Sequence, residues 1–153
     1  MKRVVLLAVG ALLLASAPAD AQLNAAGVRL GFSSNPDQFV MGGQLEFGPF
    51  SKSFTFVPSL ELGLGDDLTT IQLNGDGYYH FDIQGESWNP YAGMGLGLAF
   101  YDWDGGSETE FGANLIGGVR FKLQSASTIF TELRIGIADI PDFKVIAGWN
   151  FPM

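Results

Sequence analysis

From Ser53 to Leu64 the chain alternates, with Phe54, Phe56, Pro58, Leu60, Leu62 and Leu64 on one parity and Ser53, Thr55, Val57, Ser59, Glu61 and Gly63 on the other. A period of two marks a β-strand, whose successive side chains point to opposite faces. Pro90 to Tyr101 repeats the pattern: Ala92, Met94, Leu96, Leu98 and Phe100 alternate with Tyr91, Gly93, Gly95, Gly97, Ala99 and Tyr101. The same reading predicts strands over 25–33, 39–48, 53–64, 68–81, 90–102, 110–123, 127–138 and 142–151, eight in all. Their apolar parity runs from Val28, Leu30 and Phe32 in the first to Val145, Ala147, Trp149 and Phe151 in the last, and it carries no charge.

Stretches rich in Gly, Pro, Asn, Asp and Ser separate these segments, among them Ser33–Asp37, Gly65–Asp67, Asp104–Ser107 and Pro141-Asp142. Such residues supply turn geometries. Short connections favour an antiparallel meander, and an even strand count lets it close with both termini at one end. The expected fold is all-β, an eight-stranded antiparallel up-and-down transmembrane β-barrel.

The first 21 residues stand apart: Met-Lys-Arg, an apolar run from Val4 to Leu14, then Ala19-Asp20-Ala21 before Gln22. A basic start, a short apolar core and an A-x-A site read as a secretory signal peptide over 1–21, and the run is too short to span a bilayer as a helix. No cysteine is present, so a lipoprotein is excluded. Residues 22–153 then form one barrel domain, with six basic and fifteen acidic residues once Lys2, Arg3 and Asp20 are removed. That balance argues against nucleic acid, whose binding rests on phosphate neutralisation by Lys and Arg. Only 16% of residues are charged and 21 are glycine, against about 25% charged in a soluble domain. With no second apolar run of helix-spanning length, a closed barrel remains as the membrane solution, because it satisfies every backbone group in lipid.

Alternation alone does not say which face is outside. A lipocalin-like carrier in water would turn its apolar face inward around a ligand, a membrane barrel outward to lipid. The charges favour the second. Arg29, Arg120, Lys122, Arg134 and Lys144, five of the six basic residues after position 21, share the Gly-rich parity with Glu46, Glu61, Asp76 and Glu132. These nine residues are expected to form an ion-pair network in the lumen, since a buried charge is costly unless matched. Aromatic residues gather toward strand ends, as interfacial girdles do. Tyr79, Phe81, Tyr91, Phe121, Trp149 and Phe151 are placed at the rim that holds the termini, and acidic turns at the opposite, outward rim.

Asn89-Pro90-Tyr91-Ala92-Gly93-Met94-Gly95-Leu96-Gly97 resembles the Pro-Tyr-x-Gly-x-Gly strand opening of the opacity-protein and OmpA-like group of small outer-membrane barrels, a porin-family group. Gly117-Gly118-Val119-Arg120-Phe121 and Phe130-Thr131-Glu132-Leu133-Arg134 are similar to that group's Gly-Val-Arg-Tyr and Glu-Tyr-Arg strands. The last strand resembles the group's insertion signal, except that Pro152 and Met153 follow the terminal aromatic. The resemblance implies a bacterial outer-membrane location after signal cleavage, insertion by the outer-membrane assembly machinery, and contact with lipid and lipopolysaccharide.

No catalytic constellation stands out. His80, the only histidine, falls on the lumen parity near the terminal rim with no serine tied to it in sequence, so a lipid-A-modifying enzyme is the weaker reading. Asp102-Trp103-Asp104-Gly105-Gly106-Ser107-Glu108-Thr109-Glu110 invites calcium, which takes several carboxylate oxygens, but its glycine comes too early for an EF-hand loop. One His and no Cys argue against zinc. No metal or cofactor is expected. Eight strands leave an interior that side chains can fill, so a plugged lumen is preferred to a narrow channel. The expected protein is a monomeric, non-enzymatic outer-membrane barrel with a structural or surface-interaction role.

Overall fold

The computed structural model describes residues 22–153, and the expected signal peptide over 1–21 lies outside them. Eight strands follow one another: β1 (Leu23–Ser34), β2 (Gln38–Phe50), β3 (Phe54–Gly65), β4 (Leu68–His80), β5 (Trp88–Trp103), β6 (Gly106–Lys122), β7 (Thr128–Ala138) and β8 (Phe143–Pro152). Each pairs antiparallel with its neighbour in sequence, and β8 returns to β1, so the sheet closes into a barrel. Closure leaves no unpaired strand edge. The two ends of the described segment lie together, with the Met153 amide donating to the Asn24 carbonyl at 3.0 Å. Connections 51–53, 81–87 and 123–127 share this terminal end, while 35–37, 66–67, 104–105 and 139–142 lie at the opposite end.

All eight expected strands are present, and the parities read from sequence hold across the pairings. Arg29 sits opposite Gly42 on one side and Gly148 on the other, while Val28 sits opposite Gly43 and Trp149. The largest departure is the β5–β6 hairpin. The expected turn at 104–107 and the acidic stretch 102–110 are mostly paired strand, with Tyr101 opposite Glu108 and Asp102 opposite Ser107. Asp104-Gly105 alone turns the chain, because Gly105 takes a φ of 108° that suits a two-residue connection.

Bulky interior rings stand against glycines of neighbouring strands. A Cβ built on Gly148 would strike the Phe130 ring, one on Gly118 the Tyr91 ring, and one on Gly93 would come within 2.7 Å of Tyr78 Cδ1. Gly95 stands against the Asp76 carboxylate, and a Cβ there would also lie 2.8 Å from the Gly75 carbonyl oxygen. Gly95→Ala is expected to destabilise the barrel by about 1–3 kcal/mol through overpacking. Urea unfolding in lipid vesicles checks this, and an unchanged midpoint would show that the interior has slack at Gly95.

Outside, Tyr79 and Phe81 meet edge to face at 5.1 Å and Trp149 and Phe151 stack at 5.4 Å, all four exposed near the terminal end. Phe121 is exposed beside them, opposite Ile129 and Trp88. Tyr91 corrects the expectation. Its ring points into the lumen and is buried, as its parity with Gly93 and Gly95 requires, so it takes no part in an outer girdle.

Candidate functional site

The interior is the most heavily constructed part of the molecule. Its centre is Glu132 on β7, whose carboxylate gathers donors from four strands. Oε1 accepts from the Arg29 guanidinium of β1 and from Arg134 Nε at 2.7 Å, while Oε2 accepts from Tyr91 Oη of β5 at 2.7 Å and Tyr78 Oη of β4 at 3.2 Å. Arg134 reaches on to Asp76 Oδ2 at 2.6 Å and to Tyr78 Oη at 2.8 Å. Arg29 Nη1 lies 3.5 Å from Glu61 Oε1, and Glu61 pairs in turn with Lys144, which also donates to Gln72 Oε1 at 2.6 Å. Charge of alternating sign therefore runs unbroken through Asp76, Arg134, Glu132, Arg29, Glu61 and Lys144. These six residues come from β1, β3, β4, β7 and β8.

A second pair stands nearer the terminal end. Arg120 of β6 grips Glu46 of β2 with both terminal nitrogens, at 3.1 and 2.6 Å, and Asn24 adds a donor at 3.3 Å. Such two-pronged contacts are among the stronger charge-assisted hydrogen bonds. Four cations thus meet four anions in the lumen, and the interior carries no net charge. Desolvation makes an unpaired buried ion costly, so this balance is the condition for filling a barrel with charge at all.

Eight of the nine expected lumen residues meet in these pairings. Lys122 does not: it is the last residue of β6, exposed where the interior has ended, and its side chain joins no ion pair among the described residues. Parity gives the face of a residue but not its height along the axis. The sequence reading also missed an apolar cluster inside the lumen, formed by Val40, Val57, Ile116, Phe130 and Ile146 with Tyr78 and Tyr91, the two tyrosine rings stacking at 5.0 Å. Its members lie on the polar parity, where a single apolar residue among charges is an available but faint signal.

His80 has a hydroxyl partner that its sequence neighbourhood did not reveal, Thr55 Oγ1 of β3, 2.8 Å from Nε2. Its ring lies 5.6 Å from that of Tyr91 and 6.3 Å from that of Tyr78. Thr55 is buried within the barrel rather than on its outer face. Among the described residues no group of three or more His, Cys, Asp or Glu side chains converges as a metal site.

The remaining charge is polarised along the axis. The opposite end carries Asp37, Asp66, Asp67, Asp102, Asp104, Glu108, Glu110, Asp139 and Asp142 with no Lys, Arg or His, while the terminal end sets Lys52 and Lys122 against Asp82 and Glu86. The whole net charge of residues 22–153 therefore resides at one mouth.

No protein-family model and no curated protein matches this chain. Several solved structures do. The fold is similar to that of neisserial surface protein A, at 15% identity and a TM-score of 0.69 over 87% of this chain and 99% of that one. It is similar also to the N-terminal β-barrel domain of Pseudomonas aeruginosa OprF, at 16% identity and a TM-score of 0.66 over 88% and 100%. The outer membrane enzyme PagL is a third, at 12% identity and a TM-score of 0.56 over 84% and 99%. The chain shares the fold of small eight-stranded outer-membrane barrels.

Proposed function

We propose that this barrel is an integral protein of a bacterial outer membrane, non-enzymatic, with a plugged lumen and a structural or surface-interaction role. One observation carries the reading: the chain is inside out relative to a water-soluble protein. Leu133 and Ile135 are 51% and 53% exposed, while Glu132 and Arg134 between and beside them are 1% exposed. Water would reward the reverse arrangement, whereas lipid rewards this one, since apolar side chains are at home in hydrocarbon and charges there are costly.

The acidic end then faces outward and the termini lie in the periplasm. Lipid and lipopolysaccharide surround the belt, and the assembly machinery reads β8 with Trp149 and Phe151. A uniform ring of carboxylates repels nucleic acid, and a barrel closed on itself needs no second copy to satisfy its edges. The likeness of fold to PagL and the Thr55–His80 contact keep a lipid-modifying enzyme as the rival reading. Against it, the pair lies buried in the lumen at the terminal end, out of reach of lipid headgroups in the outer leaflet.

Cell fractionation with heat-modifiable gel mobility tests the proposal. The protein is expected in the outer-membrane fraction, with a mobility that changes on boiling, and without stepwise conductance in a planar bilayer. Recovery from the soluble periplasm would overturn the membrane reading, and steady conductance would overturn the plug.

A further inference from the structure

We propose that the β7–β8 connection, Asp139-Ile140-Pro141-Asp142, is a lid whose opening uncovers a blind vestibule at the acidic mouth. The proposal rests on where this loop goes. Ile140 is the one apolar aliphatic residue in the segment, flanked by exposed acids, yet it is 2% exposed and Pro141 is buried with it. The loop therefore folds into the barrel rather than over its rim. Two interior glycines receive it. A Cβ built on Gly112 of β6 would meet Ile140 Cγ1 and Cγ2 at 2.8 and 3.0 Å, and one on Gly136 of β7 would strike the Pro141 carbonyl oxygen.

What holds the loop differs from what holds the barrel below. Asn35 Nδ2 donates to Asp142 Oδ2 at 2.8 Å and Tyr101 Oη to the Asp139 carbonyl at 3.2 Å, both exposed and both in competition with water. Beyond these, the Gly136 amide donates to the Asp142 carbonyl at 2.9 Å at the base of the loop. Release of the first two contacts and withdrawal of Ile140 would leave the strand ladder intact.

Beneath Pro141 lies a cavity lined by Ser33, Gln38, Thr70 and Gln72, by the Glu61–Lys144 pair, and by Val40 and Gly63. Closed, it offers about 10 Å³, room for about one water molecule. Thr70 Oγ1 is buried there with no partner, a hydroxyl that a water or a small ligand would satisfy. The lining sets hydroxyls, amides and one matched ion pair beside the apolar surface of Val40, Gly63 and Pro141, so the vestibule suits a small uncharged molecule with a hydrogen-bonding group and no free ion. The Arg29, Glu61, Lys144 and Glu132 contacts close it below, which makes it a dead end.

Because the chain contains no cysteine, a single introduced thiol reports access cleanly. Thr70→Cys, in barrels refolded into lipid vesicles, is treated with a small methanethiosulfonate reagent, with Asp104→Cys as the exposed reference. The parent background is expected to label at least tenfold more slowly than the reference. Asn35→Ala with Tyr101→Phe, and separately Ile140→Asp, are expected to raise the rate at least tenfold while the heat-modifiable shift and the absence of conductance persist. Labelling of the parent as fast as the reference overturns the lid, as does a rate unmoved by both lid variants in folded barrels. Conductance appearing in those variants overturns the blind floor. If Thr70→Cys does not fold, Ser33→Cys lines the same cavity and supplies the same readout.

Discussion

Glu132→Gln is expected to cost the barrel about 3–5 kcal/mol, the scale set by removing one member of a buried ion pair. The reason is the number of donors that share this carboxylate. Two guanidinium groups and two phenols point at it, and three of those contacts come from β1, β4 and β5. A carboxamide presents one accepting oxygen and an NH2 group with two donors where four donors converge, and it leaves the interior with a net positive charge. Unfolding by urea in lipid vesicles, followed by gel mobility, reads the effect. Combining Glu132→Gln with Arg29→Met is expected to return part of the loss, because the surplus cation goes with its partner and an apolar side chain replaces it. A single-variant change below about 1 kcal/mol, the worth of an ordinary net hydrogen bond, would mean that Glu132 does not organise the network.

Leu133→Lys, one residue along, is expected to behave in the opposite way to any exposed lysine on a soluble protein. Leu133 is half exposed on the outer belt, opposite Val145 and Gly117. In water such a site accepts a charge at almost no cost. In a bilayer a lysine near the midplane costs about 2–4 kcal/mol, falling toward the interfaces. The same substitution at Phe151, at the terminal rim, is therefore expected to cost much less than at Leu133. Equal and negligible effects at both positions would overturn the membrane reading, because a belt that faces water accepts a charge at either place. The pair of variants thus measures the depth of the belt as well as its environment.

The sequence by itself determined the strands, their order and the face each residue takes. Parity is a local property of an extended backbone, so Glu61, Asp76, Glu132 and Arg134 could be assigned to one side without knowledge of their partners. The absence of any charge on the other parity then marked that side as the outward one. The resemblance carried by Pro90-Tyr91-Ala92-Gly93 and Gly118-Val119-Arg120-Phe121 pointed to the fold that the structure shows.

Only the tertiary structure decided height along the axis and who meets whom across the lumen. Closing eight tilted strands staggers them, so side chains far apart in sequence arrive at one level, as Arg29 and Glu132 do across 103 positions. Arg120 and Lys122 share a strand and a face, yet one grips Glu46 and the other stands clear of the interior. Tyr91 needed its parity read in place of its residue type, and Thr55 met His80 only because β3 and β4 pair in this register. Ile140 was hidden for a further reason. A turn has no period, so nothing local distinguishes a loop that stays in solvent from one that folds back between Gly112 and Gly136.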